Sequence, residues 1–240
     1  MAPIRLGMLT PSSNTVLEPV TNAMLAGIDG VSAHFSRFRV TQISMDADAQ
    51  SQFTLEPMLA AADLLADAKV DCICWNGTSS GWLGFEQDAV LCEAITARTG
   101  VPACSAIVGL NELFALQGVK RFGLVSPYTD TIQDLIIANY ARHGMECVAD
   151  QRLQITENFA FGTVTEAQIE AMCRAVASAR PDALAIYCTN MAGGRIAPLI
   201  EQETGVPVFD TVAVALWASL RAAGGDPGQI KGWGRLFGMG

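Results

Sequence analysis

The sequence predicts an α/β protein built from two pseudo-symmetric, doubly wound parallel-sheet half-domains with a site between them. Two observations carry this expectation. Strand-length apolar runs alternate with helical patterns, and three segments of the first half recur in the same order in the second. Asp71-Cys-Ile-Cys-Trp-Asn-Gly77-Thr78-Ser79 reads like Asp182-Ala-Leu-Ala-Ile-Tyr-Cys188-Thr189-Asn190. Gly7-Met-Leu-Thr-Pro11-Ser-Ser-Asn14 resembles Gly123-Leu-Val-Ser-Pro127-Tyr-Thr-Asp130, and Thr99-Gly-Val-Pro102 returns as Thr204-Gly-Val-Pro207. The offsets, 116 for Gly7 to Gly123, 111 for Gly77 to Cys188 and 105 for Thr99 to Thr204, stay close enough to indicate duplication.

The strand-like runs are Ile4–Leu9, Val70–Trp75, Arg121–Ser126, Ala183–Tyr187 and Val206–Phe209. Most precede helical patterns such as Glu56–Ala68, Thr131–Ala141 and Glu166–Ala179. Runs apolar on both faces and joined by helices imply parallel sheets with right-handed crossovers. The segment from Gln117 to Arg121 is the natural boundary, which divides the chain into half-domains 1–118 and 119–240. The glycine-rich tail from Gly224 to Gly240 is expected to wrap back over a surface or to pair with a neighbour.

Composition narrows the function classes. The chain has 240 residues, half of them hydrophobic, and a formal net charge of −9, which disfavours nucleic acid and anionic membranes as partners. Its apolar runs are strand-sized, and a strand pattern begins at the N-terminus, so a soluble, cytoplasmic protein is expected. Seven cysteines at scattered spacings suggest reduced, mostly buried thiols. Cys72 and Cys74 lack a partner pair, and no metal site is expected.

In doubly wound sheets ligands bind beyond the carboxyl ends of the strands. Pro11–Asn14, Gly77–Ser80, Pro127–Tyr128 and Cys188–Asn190 all fall there. Asn76-Gly77-Thr78-Ser79-Ser80-Gly81 lacks the lysine and spacing of a nucleotide phosphate loop. Its hydroxyls and backbone N–H groups suit a carboxylate or an enediolate, and Ser12, Ser13, Asn14 and Thr15 repeat that offer. Either loop, taken alone, reads equally as ordinary helix capping; their duplication around one cleft favours binding.

Cys188 is the candidate acid. An isolated cysteine in an apolar chain is usually a packing residue, but this one ends a strand and precedes a polar, glycine-containing loop. With an ordinary pKa of about 8.5 it would be mostly thiol at neutral pH and able to protonate a carbanion. The position equivalent to it by repeat holds Gly77, so a second acid or base on the opposite face is missing. Tyr128 is either a core aromatic or a phenol donor to the same anion. Asn158 is either a cap or a carboxylate donor. His34 and His143 are isolated, and no catalytic role is expected for them. Cys74, three residues before Gly77, is expected below the floor of the site. Trp82, Leu83 and Met191 are candidate pocket walls.

These residues carry a likeness. The chain resembles the aspartate/glutamate racemase superfamily and, within it, the arylmalonate decarboxylase and maleate isomerase branch. Thr10-Pro-Ser-Ser-Asn-Thr15 looks like the opening of maleate isomerases, whereas Gly77-Thr78-Ser79, Cys188 and Gly232-Trp-Gly-Arg-Leu-Phe237 look like arylmalonate decarboxylase. Members of the superfamily generally carry one cysteine in each half, and the decarboxylases are similar but have glycine at the first position. The resemblance implies that Cys188 protonates an enediolate from one face, and that Thr78, Ser79, Tyr128 and the amide of Thr189 hold the retained carboxylate. From the isomerase side it implies that Asn14, Tyr128 and Asn158 hold substrate carboxylates, with Pro11 and Ser13 in the same loop cluster. Maleate isomerases use the first cysteine as nucleophile, which Gly77 cannot supply. The polar Ser12-Ser13-Asn14 run departs from the decarboxylase loop and argues against an aryl substrate.

The leading expectation is therefore cofactor-free decarboxylation of a substituted malonate or similar small dicarboxylate. The alternatives are a maleate cis–trans isomerase or racemase acting on a small dicarboxylate, and a non-catalytic dicarboxylate-binding protein. No organic cofactor is implied. Superfamily members often associate, so a homo-oligomer is an open expectation.

Overall fold

The computed structural model describes residues 3–46, 52 and 54–239; Met1, Ala2 and Gly240, at the ends of the N-terminal run and of the tail, lie outside them. In chain order the first half runs β1 (Ile4–Pro11), α1 (Leu17–Leu25), β2 (Val31–Phe38), α2 (Leu55–Asp67), β3 (Cys72–Trp75), α3 (Ser80–Leu83), α4 (Glu86–Thr99), β4 (Ala103–Ser105) and α5 (Ala106–Leu116). The second half runs β5 (Arg121–Ser126), α6 (Asp130–Arg142), β6 (Glu146–Arg152), α7 (Asn158–Phe161), α8 (Glu166–Ala177), β7 (Ala183–Ile186), α9 (Ala197–Thr204), β8 (Val208–Asp210) and α10 (Thr211–Ala222). Two short 3-10 turns, Pro227–Gln229 and Arg235–Gly238, follow.

The strands form two four-stranded parallel sheets, ordered β2-β1-β3-β4 and β6-β5-β7-β8, so the same winding occurs twice. The repeated residues do the same work in each half. Asp71 accepts from the Arg5 N–H at 2.7 Å, and Asp182 accepts from the Lys120 and Arg121 N–H groups at 2.9 and 2.8 Å. Each aspartate thus satisfies backbone donors at the start of the neighbouring strand. Thr99 and Thr204 both donate to the carbonyl four residues back at 2.7 Å and accept from the N–H two residues on. The intervening Gly100 and Gly205 take φ of 72° and 77°, the left-handed turn that ends a helix and favours glycine.

Three strands were not foreseen: β2, β4 and β6. In β2 and β6 most positions are only partly buried, because these strands lie at sheet edges and carry polar residues along their length. β4 is three residues long. The tail does wrap back: Leu236 and Phe237 are buried, and the Trp217 indole N–H donates to the Met239 carbonyl at 2.8 Å.

The helices that follow the two edge strands β4 and β8 lock the halves together. α10 lies against β3 and β4 of the first sheet, with every residue from Thr211 to Leu220 buried, as expected for a helix that is apolar on all faces. α5 crosses it so closely that a methyl group on Gly109 would press on Ala218 and Val214. Phe114 of α5 meets Phe122 of β5, Phe209 of β8 and Tyr140 of α6 with ring centroids 5.8 to 5.9 Å apart. Phe114→Ala is expected to cost about 3–5 kcal/mol of stability, read as a lower urea midpoint with an unchanged slope. A cost below about 1 kcal/mol would show that this helix does not hold the halves together.

Candidate active site

The carboxyl ends of β1, β3, β5 and β7 meet at a small cavity of about 20 Å³. Eight of the ten residues singled out in the sequence line it: Pro11, Gly77, Thr78, Ser79, Tyr128, Asn158, Cys188 and Thr189. The other two are not among its lining residues. Asn14 caps α1, accepting from the Val16 and Leu17 N–H groups at 3.0 and 2.9 Å, while its amide donates to the Thr189 carbonyl at 3.0 Å. Ser13 donates to the Val40 carbonyl and accepts from the Asn158 amide, both at 2.7 Å.

For the loop after β1 the capping alternative is therefore realised, and Asn14 additionally ties the halves together. For the loop after β3 it is not: Ser79 precedes α3 but makes no side-chain cap bond, and its hydroxyl is left for the cavity wall. Thr78 Oγ1 and the Tyr128 hydroxyl share a hydrogen bond of 2.6 Å in which either can donate. The Tyr128 ring is held edge-on by Trp82 and Phe161 at 5.3 and 5.5 Å, which fixes where its hydroxyl points.

Cys188 is 3% exposed, and its Sγ accepts from the Asn190 N–H at 3.4 Å. Burial pushes its thiol up to about 12; the Asn190 N–H and the Tyr128 hydroxyl act in the opposite direction by favouring the thiolate, and Asp210 raises it further. Burial also raises the Tyr128 phenol well above its usual value. At neutral pH both groups are protonated donors. Every residue lining the cavity, among those described, is uncharged in that state.

A network from both halves holds Cys188 in place. Thr189 Oγ1 donates to the Asn76 carbonyl at 2.8 Å, and the Asn190 side-chain oxygen accepts from the Thr15 and Val16 N–H groups at 2.9 and 3.2 Å. The Asn190 amide donates to the Asn158 carbonyl at 2.5 Å. Above the cavity Ile43 N–H donates to the Thr156 carbonyl and Asn158 N–H to the Thr41 carbonyl, both at 2.9 Å, closing the loop after β2 over the loop before α7.

Sequence reasoning missed Val40, Ile43 and Trp75 as wall residues. Val40 and Ile43 follow β2, the unforeseen edge strand, so nothing marked their loop as converging on the site. Of the three wall candidates only Trp82 lines this cavity. Leu83 faces an adjoining one, and Met191 is fully buried and lines neither. Cys74 is likewise buried away from the cavity, its thiol directed at the Ala215 carbonyl of α10 at 3.7 Å. Gly77, the position equivalent to Cys188 by repeat, has no room for a side chain: a Cβ there would overlap the six-membered ring of Trp75. The glycine is thus more than an absent thiol, because its neighbour's indole occupies the vacant space.

Comparison with known proteins agrees with this geometry. The arylmalonate decarboxylase family profile matches residues 6–237. The arylmalonate decarboxylase of Bordetella bronchiseptica is 31% identical over 165 residues, 67% of this chain and 68% of that protein. The maleate isomerase of Pseudomonas putida is 25% identical over 249 residues, 97% of this chain and 96% of that protein. Among solved structures, the maleate isomerase of Pseudomonas putida S16 with maleate superposes with a TM-score of 0.87 at 21% identity, covering 98% of both chains. Two repeats of one sheet, a cavity at their strand ends and this match over nearly the whole length lead to one assignment: the chain belongs to the arylmalonate decarboxylase and maleate isomerase family of the aspartate/glutamate racemase superfamily.

Proposed function

We propose that the protein decarboxylates a 2-substituted malonate, or a similar small dicarboxylate, without an organic cofactor. The observation that carries this reading is a single cavity-facing thiol, Cys188, with a glycine in the equivalent position and a hydroxyl pair, Thr78 and Tyr128, alongside. One carboxylate accepts hydrogen bonds from Thr78, Ser79, Tyr128 and the Thr189 N–H. The other is placed against Val40, Ile43 and Trp82, where a charge is poorly solvated and its loss as CO2 is favoured. The C–C bond breaks, its electron pair moves onto the retained carboxylate as an enediolate, and the donors already aimed there stabilise the new charge.

Cys188 then transfers its proton to the α-carbon, and the resulting thiolate regains one from solvent. An enediolate is far more basic than a thiolate, so the transfer runs downhill even from a thiol raised to about 12. Neutral donors serve this purpose well: they leave the expelled carboxylate without a cation to stabilise it.

The full-length likeness to maleate isomerases supports a second reading, cis–trans isomerisation. A maleate isomerase of Nocardia farcinica is known with a covalently bound succinylcysteine intermediate, so a cysteine sulfur there bonds to carbon. In the present chain that sulfur would have to be Cys188, whose protonated state makes it a better acid than nucleophile.

Incubation with alkyl- and arylmalonates, maleate and aspartate in heavy water, followed by CO2 release and proton NMR, separates the readings. CO2 release from a malonate is expected, with neither isomerisation of maleate nor exchange at the α-carbon of aspartate; isomerisation without CO2 would establish the second reading. Cys188→Ser is expected to lower kcat by about 10²–10⁴, the usual contribution of a positioned general acid. Thr78→Val should lower it by about 10²–10³, as for loss of one oxyanion donor. Alkylation of Cys188 by iodoacetamide, followed at its own peptide by mass spectrometry, should be slow at pH 7 and rise about tenfold per pH unit through pH 10. A plateau below pH 9 would contradict a thiol held protonated by burial.

A further inference from the structure

Four of the seven cysteines gather at one side of the first sheet, and none of the four lines the cavity that holds Cys188. Cys72 and Cys74 lie on β3, Cys104 on the adjoining edge strand β4, and Cys92 on α4, which packs against β4. Cys104 stands opposite Cys74 in register, and Cys72 is two residues before Cys74, so alternation along the strands puts these three on one face of the sheet. The sulfurs that meet are those of Cys72 and Cys104, 3.6 Å apart. Cys74 instead directs its thiol at the Ala215 carbonyl.

The two partners differ in access. Cys72 is fully buried, whereas Cys104 is partly exposed. Their acidities differ in the same sense: donation from Cys72 holds Cys104 well below the ordinary thiol value, while the Cys104 partner and burial push Cys72 up. An accessible thiol that ionises readily and touches a second thiol is the arrangement in which peroxide oxidises one sulfur and the neighbour resolves it. A disulfide needs its sulfurs about 2.05 Å apart, so about 1.5 Å must close. β4 has three residues and pairs with β3 alone, which lets it give more easily than an interior strand.

We propose that Cys104 and Cys72 form a redox-modification site: a hydroperoxide oxidises Cys104 to the sulfenic acid, and Cys72 converts this to a disulfide across β3 and β4. In the first step the Cys104 thiolate attacks a peroxide oxygen. The S–O bond forms, the O–O bond breaks, and the departing oxygen takes a proton to leave as water or an alcohol. In the second the Cys72 sulfur attacks that of Cys104; the S–S bond forms, the S–O bond breaks, and hydroxide leaves with the Cys72 proton as water. The sulfurs together lose two electrons and the peroxide gains them. The link stops Cys104 short of irreversible sulfinic acid, and a dithiol restores both thiols. Cys188, buried and protonated, is the thiol that peroxide spares.

The test treats the reduced full-length protein with hydrogen peroxide at pH 7, alkylates the remaining thiols and maps the peptides by mass spectrometry without reduction. Cys72, Cys74 and Cys92 share one tryptic peptide, so fragment spectra assign the partner of Cys104. A Cys72–Cys104 link is expected, reversed by dithiothreitol and formed at least about tenfold faster than any oxidation of Cys188. Cys72→Ser should leave Cys104 as a sulfenic acid that dimedone labels, and Cys104→Ser should remove both link and label. Folding of the variants is checked by circular dichroism, and the unmodified protein decides the connectivity without them. A link from Cys104 to any other cysteine, oxidation of Cys188 ahead of Cys104, or thiols left intact by excess peroxide would overturn the proposal. None of these outcomes depends on which substrate the cavity accepts.

Discussion

Everything at the site depends on a buried hydrogen-bond clasp between loops about 175 residues apart. Asn14 spends its oxygen on the start of α1 and its amide on Thr189, and Asn190 answers from the other half by accepting from Thr15 and Val16. Both side chains are 1% exposed, so each unmade bond would leave a polar atom stranded in a medium of low dielectric. That cost enforces one relative position of the two halves. Cys188 lies one residue before this clasp and Thr78 two residues after Asn76, whose carbonyl accepts from Thr189. The thiol is therefore aimed at the hydroxyl pair by the same bonds that join the half-domains.

The clasp also accounts for the neutral character of the cavity. Donors are supplied by amides and hydroxyls with backbone partners, and the nearby guanidinium of Arg37 is engaged by the Asn14 carbonyl and Glu18. With no charge in the wall, burial is the largest influence on the proton affinities and keeps Cys188 and Tyr128 protonated. A carboxylate arriving there meets donors on one side and hydrocarbon on the other. This asymmetry is what the proposed reaction requires, and the indole of Trp75 occupies the space that a side chain at Gly77 would take.

Much of this was legible in the sequence, for identifiable reasons. β1, β3, β5, β7 and β8 are buried on both faces, so their apolar runs announced a parallel sheet, whereas β2 and β6 are edge strands whose polar residues hid them. The repeated Asp and Thr-Gly segments signalled duplication because identical capping bonds are needed at identical places. Eight site residues could be found because strand ends are fixed by topology. The division of labour between Ser79 and Asn14 could not, since helix capping and ligand binding draw on the same residue types. Nor could the contact of Trp75 with Gly77, which depends on one side-chain rotamer at a strand end.

The central claim is that the proton arrives from one face only. Conversion of a 2,2-disubstituted malonate such as 2-butyl-2-methylmalonate in heavy water, with chiral separation of the 2-methylhexanoate formed, measures this directly. The account predicts one enantiomer bearing a single deuterium at the α-carbon. A racemic deuterated product, formed at an enzyme-dependent rate, would mean that the enediolate is protonated from both faces or in free solution, and would contradict it.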